Sequence, residues 1–285
     1  MEKSRLKEQV EVIRQAFSYI DQFKNETFVI KIESSLMPDP LFPVLIKDLV
    51  LLHRMGIRIV IIPGARTRID EILATYNVKC DTYKGIRIST HDSIPFIKMA
   101  AFDVSNQIMT LLAEAGAHGV IGNWVKARSI GVRNGIDFQS SGIVEKFYLD
   151  EVKNVLEDRM IPIFPNIGWS AKGKPYNLSS NELAFAISTE LSAAKLFFIT
   201  DNLAITSGKF AIPGGVYVSS NGTVSQLNLE QAGIFLEQNK SNEYNEVIEL
   251  VSLAYKACND GVRRVHIVDG RTEGMILKEI FSNRG

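Results

Sequence analysis

Thr27-Phe28-Val29-Ile30-Lys31-Ile32-Glu33-Ser34-Ser35 is the stretch on which both the fold and the chemistry of this chain turn. Its first six residues form an apolar, β-branched run that reads as a buried strand, with a lysine near its end. A charge at the end of a buried first strand, followed by a tight loop, is how several α/β proteins hold a phosphate. Glycine in that loop lets backbone N–H groups close on the anion. Here the loop is Glu33-Ser34-Ser35, without glycine and with a carboxylate where a polyphosphate would lie. The pattern is that of a phosphate-transfer site kept as architecture and lost as chemistry.

Outward from this strand the chain alternates. Residues 41–55 predict a helix with Leu41, Leu45, Leu49, Val50 and Leu52 on its apolar side, capped by Gly56. Ile57-Arg58-Ile59-Val60-Ile61-Ile62 is a second strand, followed by Pro63-Gly64-Ala65-Arg66 and a helix over about 66–76. This is a strand–helix–strand unit whose loop lies at the carboxyl end of the strand, where open parallel sheets place ligands. A long helix is predicted over 92–116, ended by Gly116 and Gly119, then a hairpin over 124–146 turning at Asn134-Gly135. A short helix over 149–158 and a strand at 161–164 follow, then a helix over 179–191 with Ser180 as its cap. The strand at 195–200 ends in Asp201, and turn signals at Pro213-Gly214-Gly215 and Asn221-Gly222 predict a second hairpin over 210–224. A helix over 242–259, a strand over 263–269 and a helix over 271–281 complete the chain. The alternation predicts a three-layer αβα sandwich around a mostly parallel sheet. Ahead of it, residues 3–22 read as one amphipathic helix with Leu6, Val10, Ile13, Phe17 and Ile20 as an a/d seam. That seam buries itself on its own domain or on a partner subunit, and both remain open.

At 285 residues, 46% hydrophobic and 22% charged, the chain is long enough for one large α/β domain or two lobes. Lys+Arg and Asp+Glu are both 32, so there is no basic footprint for nucleic acid and no polybasic membrane patch. Cys80 and Cys258 lack metal-ligand spacing and read as reduced thiols of a cytoplasmic protein, with no metal site expected. No apolar run reaches the ~18 residues of a membrane span, and the charged start MEKSRLKEQVEVIRQ is no signal peptide.

Seven motifs in order carry a family resemblance. They are Phe28-Val29-Ile30-Lys31, Leu51 to Arg58, Gly64-Ala65-Arg66, Gly85-Ile86-Arg87-Ile88-Ser89, Tyr176-Asn177-Leu178-Ser179-Ser180, Lys195 to Asp201, and Gly261-Val262-Arg263-Arg264-Val265-His266. On these the chain resembles the amino acid kinase superfamily, and within it N-acetylglutamate kinase and the kinase-like domain of N-acetylglutamate synthase. The resemblance implies the amino acid kinase (carbamate kinase-like) fold over 26–285, with lobes of about 26–172 and 173–285. Departures from the kinase pattern favour the synthase branch. A working kinase has glycines after the first strand and a triple glycine in the second loop; this chain has Glu33-Ser34 and Gly64-Ala65-Arg66. An aspartate opening a helix in the kinase is replaced within Ser179-Ser180-Asn181, and Lys209 is the nearest, poorly spaced, candidate for the second catalytic lysine. Lys31, Asn181 and Asp201 are then relic catalytic positions, and Gly64, Ala65, Arg66, Arg87 and Asn177 a substrate-like pocket.

In arginine-sensitive members of that family, an N-terminal helix links dimers into rings and L-arginine binds between it and the C-terminal lobe. The resemblance assigns that role to residues 1–25 and to Tyr19, His266, Glu279, Ser282 and Gly285. Glu279 would take a cationic group of the effector, and the backbone of Ser282–Gly285 its carboxylate. The implied function is a degenerate kinase domain that senses L-arginine and assembles a homo-oligomer in arginine biosynthesis. The alternative is an active N-acetylglutamate kinase using ATP and Mg²⁺. No cofactor is expected otherwise. Acetyl-CoA chemistry in the synthase family belongs to a second, acetyltransferase domain, which would begin about where this chain stops, at Gly285.

Overall fold

The computed structural model describes residues 10, 11, 13, 14, 17–19, 21–201 and 203–281. The described residues between 10 and 23 are helical (α1). Then come β1 (Thr27–Ile32), a 3-10 turn at Ser34–Leu36, α2 (Phe42–Arg54), β2 (Arg58–Pro63) and α3 (Arg66–Thr75). A small hairpin of β3 (Thr82–Tyr83) and β4 (Ile86–Arg87) precedes α4 (Ile94–Glu114) and β5 (Gly119–Ile121). The middle of the chain holds β6 (Val125–Ser129), β7 (Val132–Arg133), β8 (Ile136–Asp137), β9 (Gly142–Phe147), α5 (Leu149–Glu157), β10 (Ile161–Ile163), β11 (Ile167–Trp169) and β12 (Pro175–Asn177). The last part is α6 (Ser180–Glu190), β13 (Lys195–Thr200), α7 (Leu229–Gln238), α8 (Glu246–Asn259), β14 (Arg264–Asp269) and α9 (Met275–Phe281).

β1 is buried along its whole length because β2 and β13 pair with it on either side, both in parallel. The six-stranded sheet runs β14-β13-β1-β2-β10-β5, every pairing parallel. A strand buried on both faces cannot alternate apolar with polar, which is why Thr27–Ile32 and Lys195–Thr200 read as continuous runs. One face packs Phe28, Ile30, Phe197 and Ile199 against Leu49 of α2 and Ile276 of α9. The other packs Val29, Val60 and Phe198 against Leu183 of α6 and Leu250 of α8. Each of these fully buried side chains stabilises the fold by about 1.5–3 kcal/mol relative to exposure. A third cluster seats α3 on α4 through Ile69, Leu73, Ile97 and Val104. The three-layer αβα sandwich is as the alternation predicts.

The hairpin expected over 124–146 forms as β6 against β9, with β7 and β8 as its separated tip. Asn134 (φ 53°) and Gly135 (φ 76°) supply the two left-handed residues of its turn. The second expected hairpin does not form. Residues 206–224 hold only the isolated bridges Thr206–Thr223 and Val218–Val224, since Pro213 and the glycines interrupt any ladder. α7 is absent from the sequence reading, although its start carries a full capping box between Asn228 and Gln231. The cap of α6 is Ser179, not Ser180: its hydroxyl accepts from the Glu182 N–H. Gly119 belongs to β5, and the last helix begins at Met275 after a turn at Gly274 (φ 62°). Among the described residues, no helix is long and apolar enough to cross a membrane.

Candidate functional site

The sheet order reverses between β1 and β13: β2 and β10 lie to one side of β1, β13 and β14 to the other. A crevice at the carboxyl ends of these strands is where such sheets bind ligands. Lys31 is buried there, in direct ion-pair contact with Glu33. Burial pushes its ammonium down to about 7, and Glu246 and Glu249 oppose that shift. Two backbone donors of the crevice are already engaged. Gly64 N–H donates to the Ile32 carbonyl at 2.7 Å, and Thr67 N–H, in the first turn of α3, donates to Ser34 Oγ at 3.1 Å. A Cβ on Gly64 would lie 3.1 Å from Glu33 Oε2, so the carboxylate is packed against the loop itself.

Asn181 Nδ2 lies 3.4 Å from Glu249 Oε2, which also accepts from Tyr244 Oη at 2.7 Å. The Tyr244 ring crosses over Gly85, where a Cβ would come within 2.4 Å of it. Asp201 pairs with Arg271 at 3.5 Å. Arg66 reaches the Gly85 carbonyl at 3.4 Å, and Arg87 pairs with Asp70. Asn177 accepts from Asn166 at 2.8 Å and donates to Ser89 Oγ at 3.0 Å. Lys31 thus pairs with Glu33 and faces Glu246, Glu249 and Asp201, with Arg66 as a neighbouring cation.

The effector candidates converge at the opposite end of the sheet. Lys195 opens β13, His266 is the third residue of β14, and both are buried. His266 Nδ1 lies 2.9 Å from Glu279 Oε1, and its Nε2 lies 3.2 Å from Lys195 Nζ. A carboxylate only accepts and an ammonium only donates, so Nδ1–H donates to Glu279 and Nε2 accepts from Lys195. The imidazole is therefore held neutral; burial lowers its pKa, against the hydrogen bond it donates to Glu279. It stacks on Phe197 at 4.5 Å and 10°. Burial brings the Lys195 ammonium down to about 8, with Arg264 adding to the shift and Glu279 opposing it. The hydrogen bond to His266 holds the Glu279 carboxyl below its ordinary value. Tyr19 of α1 stacks on Phe23 at 4.4 Å, and Lys195 Nζ sits 5.5 Å from the Tyr19 ring centre. Burial raises the Tyr19 pKa.

So Tyr19, His266 and Glu279 come together, while Ser282 and Gly285 lie outside the described residues. The sequence reading missed Lys195, Glu249 and Tyr244. A lysine beginning an otherwise apolar run was the available sign for Lys195. Nothing local marks Glu249, which meets Asn181 only through the packing of α6 on α8.

A family model described as the amino acid kinase family matches residues 26–269. The chain belongs to the amino acid kinase family. It is similar to the amino-acid acetyltransferase of Pasteurella multocida, at 29% identity over 288 residues, covering 99% of this chain and 63% of that protein. Among solved structures it is similar to N-acetylglutamate synthase from Neisseria gonorrhoeae complexed with coenzyme A and N-acetyl-glutamate (TM-score 0.84, 28% identity, 97% of this chain, 62% of that one). The same enzyme complexed with coenzyme A and L-arginine matches with TM-score 0.84 and 27% identity, over 97% of this chain and 63% of that one. Carbamate kinase from Giardia lamblia bound to AMP-PNP, at 11% identity and TM-score 0.63, shares the fold. This amino acid kinase chain spans a little under two thirds of the length of its acetyltransferase relatives.

Proposed function

We propose that this chain is an N-acetylglutamate synthase-type kinase-like domain of arginine biosynthesis, degenerate for phosphoryl transfer, that binds L-arginine and assembles a homo-oligomer. The observation that carries the reading is the row of buried Lys195, buried His266 and half-buried Glu279 beside Tyr19, with distances of 3.2 and 2.9 Å across the imidazole. L-Arginine presents a carboxylate at one end and cationic groups elsewhere. Glu279 is the partner for a cation, and Lys195 a partner for the carboxylate, in addition to the backbone after α9. An N-acetylglutamate synthase bound to L-arginine is among the similar structures, which supports the same ligand here. Acetyl transfer, the activity in the relatives' names, would lie with the length they have beyond this match.

Calorimetry with L-arginine, without nucleotide or acetyl-CoA, tests the reading. Saturation at ~100 times the dissociation constant should add about 2.7 kcal/mol of stability. Glu279→Ala should remove both the heat and the melting shift, and L-lysine should not reproduce them. No heat with millimolar arginine overturns the sensor reading.

A further inference from the structure

Lys195 opens β13 and Arg264 opens β14, and the two are direct partners in the parallel register, as Phe197 and His266 are two residues on. Side chains alternate along a strand, so Arg264 leaves β14 on the same face as His266. Val268, the next on that face, packs with Phe197 and Ile276, while Val265 and Ile267 pack in the opposite layer. Among the described residues, this places two cations, Lys195 and Arg264, beside the single carboxylate of Glu279. The two cations differ in what they can reach. Lys195 is buried, with Nζ 3.2 Å from His266 Nε2 and 5.5 and 5.4 Å from the ring centres of Tyr19 and Phe23. Arg264 is exposed and makes no salt bridge among the described residues; its neighbour Arg263 pairs with Glu26. Arg264, His266 and Glu279 line one recess beside β14, and Lys195 is not part of its wall. After burial and the His266–Glu279 hydrogen bond, the charge of Arg264 acts on each of Tyr19, Lys195, His266 and Glu279, as that of a cation close to the whole row.

We propose that Arg264 is a specificity residue of this site: it takes the carboxylate of an α-amino acid whose cationic side chain lies at Glu279. The proposal rests on the reading of the site as an L-arginine sensor and adds what the site demands of the ligand's other end. A guanidinium offers a carboxylate two parallel N–H donors, a geometry that an ammonium or a backbone amide does not supply. From the recess, Arg264 is the cation within reach, and Lys195 acts from behind the imidazole. A ligand that keeps the cationic side chain but lacks the carboxylate brings further positive charge against Arg264 and Lys195. It is therefore rejected by repulsion as well as by a missing contact.

Calorimetry on the whole chain with L-arginine, L-arginine methyl ester and agmatine, the decarboxylated amine, tests the assignment. The wild-type chain should bind L-arginine about tenfold or more tighter than either analogue, the usual scale of a charge-assisted hydrogen bond. Arg264→Met, which keeps the aliphatic stem of an exposed side chain, should weaken L-arginine by about tenfold or more and leave the analogues nearly unchanged. Its circular dichroism should match the wild type, and Arg264→Lys should recover only part of the affinity. Unchanged L-arginine binding by Arg264→Met overturns the assignment while the sensor reading stands. So does an equal loss for L-arginine and its methyl ester, which would mark a merely structural role. No binding of L-arginine by the wild-type chain overturns the sensor reading and this assignment with it.

Discussion

Lys31 and Glu33 illustrate how a single loop residue changes the chemistry of a strand end. A fully buried ammonium is costly unless paired, and Glu33 supplies the pair from two residues away. Lys31→Met should therefore destabilise the chain by about 3–5 kcal/mol, because it strands a largely buried carboxylate. Adding Glu33→Gln should recover most of the loss, and equilibrium urea unfolding of both singles and the double would measure the coupling. The two buried lysines also set the pH dependence of stability. Lys31 is lowered to about 7 and Lys195 to about 8 from an ordinary 10.5, so the unfolded chain holds protons that the folded chain has released. Stability should accordingly rise with pH between about 7 and 10. Thermal melts across that range should show the rise, and Lys195→Met should flatten its upper part. The same variant should lose arginine binding while remaining folded. Glu279, whose pKa is lowered, contributes stability present above the ordinary glutamate value and lost as the pH falls through its folded one.

At the scale of elements, α1 faces two ways. Tyr19 packs on the main core and Phe23 is buried in it. Val10, Ile13 and Phe17, spaced three and four apart, are 38, 53 and 67% exposed. Leu6 and Ile20 of the expected seam lie outside the described residues. The described part of the seam is thus exposed on α1, and among the described residues Tyr19 and Phe23 anchor the helix. The proposed function would make this exposed apolar stripe the assembly surface. Ile13→Glu with Phe17→Glu should lower the mass in light scattering by a factor of about two or three, with the circular dichroism unchanged. An unchanged mass would remove α1 from the assembly. Helices with a strong apolar face or capping signal were legible from sequence; α7 shows the exception, because its capping box opens a helix with only Phe235 buried. The failed hairpin over 210–224 is the converse, turn residues without the flanking apolar alternation that would make a ladder.

Across the whole molecule the two candidate sites lie at opposite ends of one sheet, and they differ in what they leave free. At the carboxyl ends, Glu33 pairs with Lys31, Ser34 accepts from the Thr67 N–H, and Glu249 holds Asn181 and Tyr244. With N-acetylglutamate, ATP and Mg²⁺, a coupled ADP assay should stay at background; turnover on the order of 1 s⁻¹ would sink the degenerate reading. At the amino ends of β13 and β14, opposite charges stand on either side of a neutral imidazole. The sequence alone determined five of the six strands of the main sheet, the αβα layering and the missing glycines, because each is written in local periodicity or in a single backbone requirement. It also marked Tyr19, His266 and Glu279 through a family motif. Tertiary structure alone decided that Lys195 joins them and that Glu249 meets both Asn181 and Tyr244. The Asn181–Glu249 and Lys195–His266 contacts join residues 68 and 71 positions apart, set by strand order and helix packing, which no local pattern encodes.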